Sequence, residues 1–332
     1  MPHASLLRFD VEDPVHGRVP CAALLHEAHA QRELPCCLML YGGGGSRESL
    51  TALAPVFERA WIEDVLPPCI IATPDVGPWS FYLDDAARGL AWESFITERF
   101  VQRVRALQPV AARRLGVVGM SMGGYGALKL AFARPQLFAA VGAVSPMVEP
   151  TGHVPLRNRF FYPPEVPSAL LGTARDEALY RRDHPAARAR THAQQLIERA
   201  LAIYIDAAGQ DALNAHDGAE SLHRVLWDLD IPHEYRLRRD ADHAGPDLAP
   251  RVCEALRWVI DRLRPPRAAP LSELEQEWQT WLAARATPLP STPLPADSRL
   301  FPAFLRATQE PQRAAAQLQD PTMSRHYGIL RQ

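Results

Sequence analysis

Short apolar runs alternate with stretches of helical period through the first 263 residues of the chain. Residues 35–41, 69–75, 114–118, 139–144 and 201–205 are almost unbroken in apolar character, which suits strands buried on both faces. Residues 6–11 and 21–27 read as two further strands around a turn-rich segment at 13–17, and residues 233–237 as a last one. Between them lie helical patterns at 49–59, 92–107, 124–134, 192–200, 212–229 and 248–263. In the second of these, Trp92, Phe95, Ile96, Phe100, Val104 and Leu107 recur on one helical face. Ser46 or Ser49 is placed to cap the first helix. Strands alternating with helices predict a mostly parallel sheet covered on both faces, an α/β fold.

The pattern breaks twice. Residues 147–185 are rich in Pro, Arg and aromatics and carry little periodicity. An insertion at that point falls above the C-terminal edge of the sheet, where open α/β folds bind ligands, and it is expected to act as a partial lid. Pro265-Pro266 ends the second pattern. An α/β domain over 1–264 and a C-terminal arm over 265–332 follow, the arm having a helical piece at 271–284 and a proline-spaced stretch at 288–302. The arm is expected to pack on the domain, to join a second copy into a homo-oligomer, or to stay free. No chemistry is assigned to it.

Composition narrows the function classes. An apolar fraction of 47% over 332 residues supports a sizeable core, and a formal charge of -2 favours neither nucleic acid nor an anionic membrane as partner. The N-terminal residues do not form a charged segment followed by an apolar run, and no run is long enough to span a membrane. A soluble cytoplasmic protein is expected. The five cysteines lack metal-ligand or redox spacing and read as buried reduced thiols.

The chemistry centres on Gly119-Met120-Ser121-Met122-Gly123-Gly124, between a buried strand and a helix. Gly-x-Ser-x-Gly on such a turn is a nucleophile elbow: the turn strains the serine backbone and leaves no room for side chains at its flanks. A glycine-rich turn that merely packs helix on sheet is the plainer alternative. Ser121 needs a base, and the base an acid to fix its tautomer. Only His243 lies in a loop between the last strand and the last helix. His223 and His233 fall on a helix and a strand start, and His184, His192 and His216 flank helices. Asp206 and Asp211 both follow the strand at 201–205; Asp211, past the Ala208-Gly209 turn, has the better reach. Asp240 and Asp242 are too near His243 in sequence to orient it and are read as shaping its loop. For the oxyanion, the expected donors are the backbone N–H groups of Met122, Gly43 and Gly44, the last two from the run Gly42–Gly45. Trp79, Phe81 and Tyr82 form either a plug on the core or an acyl-binding wall, and Phe161 in the insertion is a further substrate-facing candidate.

These segments resemble the esterase D-like group of α/β-hydrolases, which includes S-formylglutathione hydrolases, feruloyl esterases, enterochelin-type esterases and mycolyltransferases. The resemblance is carried by residues 119–128 with Pro135-Gln136-Leu137-Phe138, by Ser80-Phe81-Tyr82-Leu83-Asp84, and by Gly209-Gln210-Asp211. It covers residues 35–262. Tyr41 departs from it, standing where many relatives have His, and the arm after 265 is outside it. Residues and resemblance together imply a serine hydrolase of small-molecule esters or thioesters with a Ser121–His243–Asp211 triad and no metal or organic cofactor. An acyltransferase using the same acyl-enzyme, and a non-catalytic binding protein on a hydrolase fold, are the rival readings.

Overall fold

Cys36, Leu38 and Leu40 bury against one layer of helices, while Cys37 and Met39 between them bury against another. This single strand explains the architecture: with both faces covered, every position must be apolar. The computed structural model describes residues 4–107, 115–149 and 181–264. These belong to one compact unit, Met1–Pro265. Most of the insertion and the whole arm, with the helical piece expected at 271–284, lie outside the described residues.

The described strands of the main sheet are β1 (Ala4–Asp13), β2 (Gly17–His26), β3 (Cys36–Leu40), β4 (Ile70–Pro74), β5 (Leu115–Met120), β6 (Phe138–Val144), β7 (Ala202–Ala208) and β8 (Glu234–Arg238). They lie in the order β1-β2-β4-β3-β5-β6-β7-β8. The β1–β2 hairpin and the β2–β4 pair are antiparallel, and the other pairs are parallel. Helices α1 (Glu48–Ile62) and α6 (Leu248–Leu263) cover one face through Leu50, Phe57, Val252, Leu256 and Val259. On the other face lie α2 (residues 92–107), α3 (Met122–Ala133), α4 (Pro185–Glu198) and α5 (Ala215–Asp228). The result is the mostly parallel sheet covered on both faces that the alternating pattern predicts, and it matches the α/β-hydrolase fold that the resemblance implies.

Three details differ from the sequence reading. The helix expected at 92–107 is interrupted: α2 comprises Trp92–Ser94, a π-helical stretch Phe95–Phe100 and Val101–Leu107. Its apolar face still meets the core through Phe95, Phe100 and Val104. Neither Ser46 nor Ser49 occupies the cap of α1. Arg47 does, without a side-chain cap, although Ser46 Oγ accepts from the Glu48 N–H at 3.2 Å. Strand β7 runs to Ala208, so Asp206 lies inside the sheet and not in the loop beyond it.

Candidate active site

A tight turn joins β5 to α3. Ser121 sits there at φ 54° and ψ -120°, a combination that side chains rarely adopt. Two glycines make the turn sterically feasible. A Cβ on Gly119 would lie 2.1 Å from the Gly123 carbonyl oxygen, and one on Gly123 would lie 2.0 Å from that of Leu40. The turn is fastened by backbone bonds: the Ser121 N–H donates to Val144 O at 2.9 Å, and its carbonyl accepts from Met147 and Tyr125, both at 3.1 Å.

The predicted base and acid meet this serine. His243 Nε2 is 2.9 Å from Ser121 Oγ, and Nδ1 is 2.8 Å from Asp211 Oδ2. Asp211 is buried, and its other oxygen accepts from the Leu213 N–H at 2.8 Å. Asp206, the other candidate acid, is fully buried and engaged elsewhere. Its carboxylate accepts from Arg251 and from Arg238, whose Nε lies 2.9 Å away. Asp242 shapes the base loop as its position suggests, with Oδ1 accepting from the N–H groups of both Ala212 (2.9 Å) and His243 (2.6 Å). These two bonds hold its carboxyl below the usual carboxylate range. They also staple the loop of the acid to the loop of the base.

Among the described residues, His184, His223 and His233 are engaged outside this chain of bonds. His184 is buried, caps α4 through Nδ1, and lies edge-on to Tyr125. Burial lowers its pKa to about 4. His223 and His233 bond to each other at 2.7 Å.

A cleft of about 230 Å³ opens beside Ser121, with apolar walls from Trp79, Phe81, Met120, Met147, Leu213 and Leu248. The sequence reading anticipated Trp79 and Phe81 but not the methionines or leucines, which carry no distinguishing pattern. Two expectations need correction. Tyr82 does not line the cleft: it is fully buried, its hydroxyl donates to Tyr41 O at 2.9 Å, and its ring packs on Gly126. The aromatic loop is therefore both wall and plug. Gly44 is not a free donor, because its N–H is taken by Pro78 O at 2.8 Å. Gly43 does border the cleft, as does Met122, whose N–H opens α3 and is among those a helix leaves unused. Phe161 lies outside the described residues.

Behind this wall is a buried charge cluster that the sequence did not announce. Lys129, fully buried on α3, donates to Tyr82 O at 2.9 Å and pairs with Glu93 at 3.0 Å and Asp183 at 3.6 Å. Arg188 bridges the same two carboxylates, 3.1 Å from each. Phe81 and Tyr82 both have positive φ, 45° and 56°. The ammonium thus fixes the carbonyl of a strained residue, and Tyr82 in turn fixes the end of β3 just before Gly42.

Comparison with known proteins bears on family and fold. The Esterase family model, described as "Putative esterase", matches residues 47–239. Over 173 residues the chain is 24% identical to the S-formylglutathione hydrolase of Paracoccus denitrificans, covering 51% of this chain and 56% of that protein. Over 89 residues it is 37% identical to the diacylglycerol acyltransferase/mycolyltransferase Ag85A of Mycobacterium ulcerans, covering 24% and 26%. The chain thus spans about half or less of the length of these curated relatives. A ferulic acid esterase structure superposes with a TM-score of 0.66 at 18% identity, over 80% of this chain and all of that one. That likeness speaks to fold. The family match takes in more than half of the sequence, including the elbow and Asp211, and on that ground the chain belongs to the Esterase family of α/β-hydrolases.

Proposed function

We propose that the protein is a serine hydrolase that cleaves carboxylic ester or thioester bonds through an acyl-enzyme on Ser121. The observation that carries the reading is the unbroken hydrogen-bonded run Asp211–His243–Ser121, with the serine on a strained elbow. A carboxylate only accepts, so Asp211 keeps the imidazole proton on Nδ1 and leaves Nε2 as acceptor for the serine hydroxyl. As Oγ attacks the acyl carbonyl, its proton passes to Nε2 and Asp211 stabilises the imidazolium. The N–H groups of Met122 and Gly43 meet the charge on the former carbonyl oxygen. Nε2 then protonates the leaving group, and a water that gives its proton to the same nitrogen releases the acid. These steps need no metal or organic cofactor.

The apolar cleft fits the acyl or aryl part of a small-molecule substrate. The chemistry belongs to residues 1–264, and none is assigned to the arm. Among the described residues no helix is long and apolar enough to cross a membrane. The five unpaired, buried thiols fit a reducing compartment, and we read the protein as cytoplasmic.

Ser121→Ala is expected to lower turnover of p-nitrophenyl acetate by about 10⁴–10⁶-fold. A fluorophosphonate probe is expected to label wild type at Ser121 and to spare the variant. Equal hydrolysis by the two proteins would refute the assignment, and a folded wild type that takes no label would favour a non-catalytic role. Identity of 37% to a mycolyltransferase over 89 residues supports a second reading, transfer of the same acyl group to an alcohol. Product analysis with an alcohol competing against water separates the two.

A further inference from the structure

An imidazole is aimed only as well as its backbone is fixed. In this protein the peptide unit joining Asp242 to His243 is gripped on both edges. Its N–H donates to Asp242 Oδ1 at 2.6 Å, and its carbonyl accepts from Arg251 Nη1 at 2.9 Å. Arg251 lies in the first turn of α6 and is 4% exposed. Its Nε and Nη2 donate to Asp206 Oδ1 at 2.7 and 2.5 Å, and Nη2 also donates to Ser145 Oγ at 2.8 Å. Nη1 has a second, longer contact with Asp247 Oδ2 at 3.4 Å.

Ser145 has φ 41° just past β6, and its N–H donates to Asp206 O at 2.7 Å. Two residues on, the Met147 N–H donates to the Ser121 carbonyl. One planar guanidinium therefore ties together the turn beside the nucleophile, the buried acid at the end of β7 and the peptide that carries the base.

We infer that Arg251 is a positioning residue for the His243 base, aimed in turn by Asp206, the carboxylate that the triad leaves unused. The inference rests on the hydrolase reading above. A guanidinium suits the task because its donors diverge in one plane at fixed angles, so a bond to Asp206 fixes the direction of the bond to Asp242 O. An ammonium in the same place would carry the charge but not the fixed fork. Fastening α6 to the sheet would not by itself call for a donor aimed at the peptide of the catalytic histidine. A purely structural pair would change the fraction of folded molecules and leave the chemistry of each one alone.

The test compares wild type with Arg251→Met, Arg251→Lys and Asp206→Asn, each counted by fluorophosphonate titration so that rates refer to folded, reactive sites. For Arg251→Met, kcat per titrated site is expected to fall about 10–100-fold with KM changed less than about threefold, the signature of a misaimed base and an intact cleft. Arg251→Lys is expected to recover only part of that loss. Asp206→Asn leaves Arg251 in place but removes the charge that holds its fork and one of the two acceptor oxygens, and should lower kcat in the same direction; it carries the test if Arg251→Met does not fold. Wild-type kcat per titrated site in Arg251→Met, or in Asp206→Asn where that is the variant that folds, overturns the inference. A wild type that neither labels nor turns over ester overturns the hydrolase reading, and the inference with it.

Discussion

The body of the sheet and its C-terminal rim are made by the same strands under different rules. In the body, Cys36–Leu40 and Ile70–Pro74 are buried at every position, with ordinary extended backbone. At the rim, Phe81, Tyr82, Ser121 and Ser145 all take positive φ between 41° and 56°, and buried acids and guanidinium groups gather around them. Removing apolar surface from water stabilises the body, each buried leucine by about 1.5–3 kcal/mol. The rim opposes that gain with strained backbone and desolvated charge, and it persists because the body holds it. Function sits where local preference is violated.

Two aspartates close in sequence put this contrast to its hardest test. Asp211 faces the histidine of the rim; Asp206, five residues earlier, faces two arginines inside the sheet. Asp211→Asn is expected to cut kcat/KM by about 10⁴-fold, because the amide favours the wrong imidazole tautomer, with only a small change in melting temperature. Asp206→Asn is expected to lower stability by about 3–5 kcal/mol, since it leaves the buried Arg251 with only the longer contact to Asp247. Its effect on kcat should be far smaller than that of Asp211→Asn. Denaturant unfolding and steady-state kinetics on both variants read the difference. If Asp206→Asn proved the more damaging to turnover, the assignment of the acid would be reversed.

A body position gives the next smaller effect. Leu38 is fully buried in the middle of β3. Leu38→Ala is expected to cost about 2–5 kcal/mol of stability, while the labelling rate of Ser121 per folded molecule stays at the wild-type value. A variant that kept its stability and lost its labelling rate would mean that the body sets the rim's geometry more finely than its packing suggests.

The same contrast decides what could be read from the sequence. The body is legible because a doubly covered strand must be apolar at nearly every position, and β3 to β7 are, with Thr73 and Asp206 the exceptions. The elbow was legible because the close approaches at Gly119 and Gly123 exclude any Cβ. Asp211 could be preferred over Asp206 because a small turn after β7 gives it reach. The mistakes concern backbone partners, which sequence does not display. In sequence Gly44 reads as an oxyanion donor although Pro78 O takes its N–H, and Tyr82 reads as well as wall as it does as plug although Tyr41 O takes its hydroxyl. Lys129 left one overlooked sign, a lone charge in an otherwise apolar helix, which needs buried partners. Arg251 left none, because one charged residue among several on α6 does not reveal the strand and the two loops it reaches.

The smallest predicted effect concerns a histidine of the body set against the one at the rim. His184 is 7% exposed and held neutral by burial, its pKa lowered from 6.5 to about 4; the backbone of Glu149 partly offsets the shift. The unfolded chain takes up this proton near pH 6.5 and the folded one only near pH 4, so the unfolded state binds more protons between those values. Stability is therefore full above about pH 6.5 and declines as pH falls through the window, by at most about 1.4 kcal/mol per pH unit for this one group. His16, His192, His223 and His233 are also depressed by burial and act in the same direction. His184→Asn keeps a side-chain acceptor for the Ala186 N–H at the start of α4 while removing the titration. Urea unfolding between pH 4 and pH 7 should then give a shallower slope for the variant than for wild type, with kcat per labelled site unaltered at pH 7. Parallel slopes would mean that His184 charges without cost in the folded protein, and a fall in kcat would move this residue from the body to the rim.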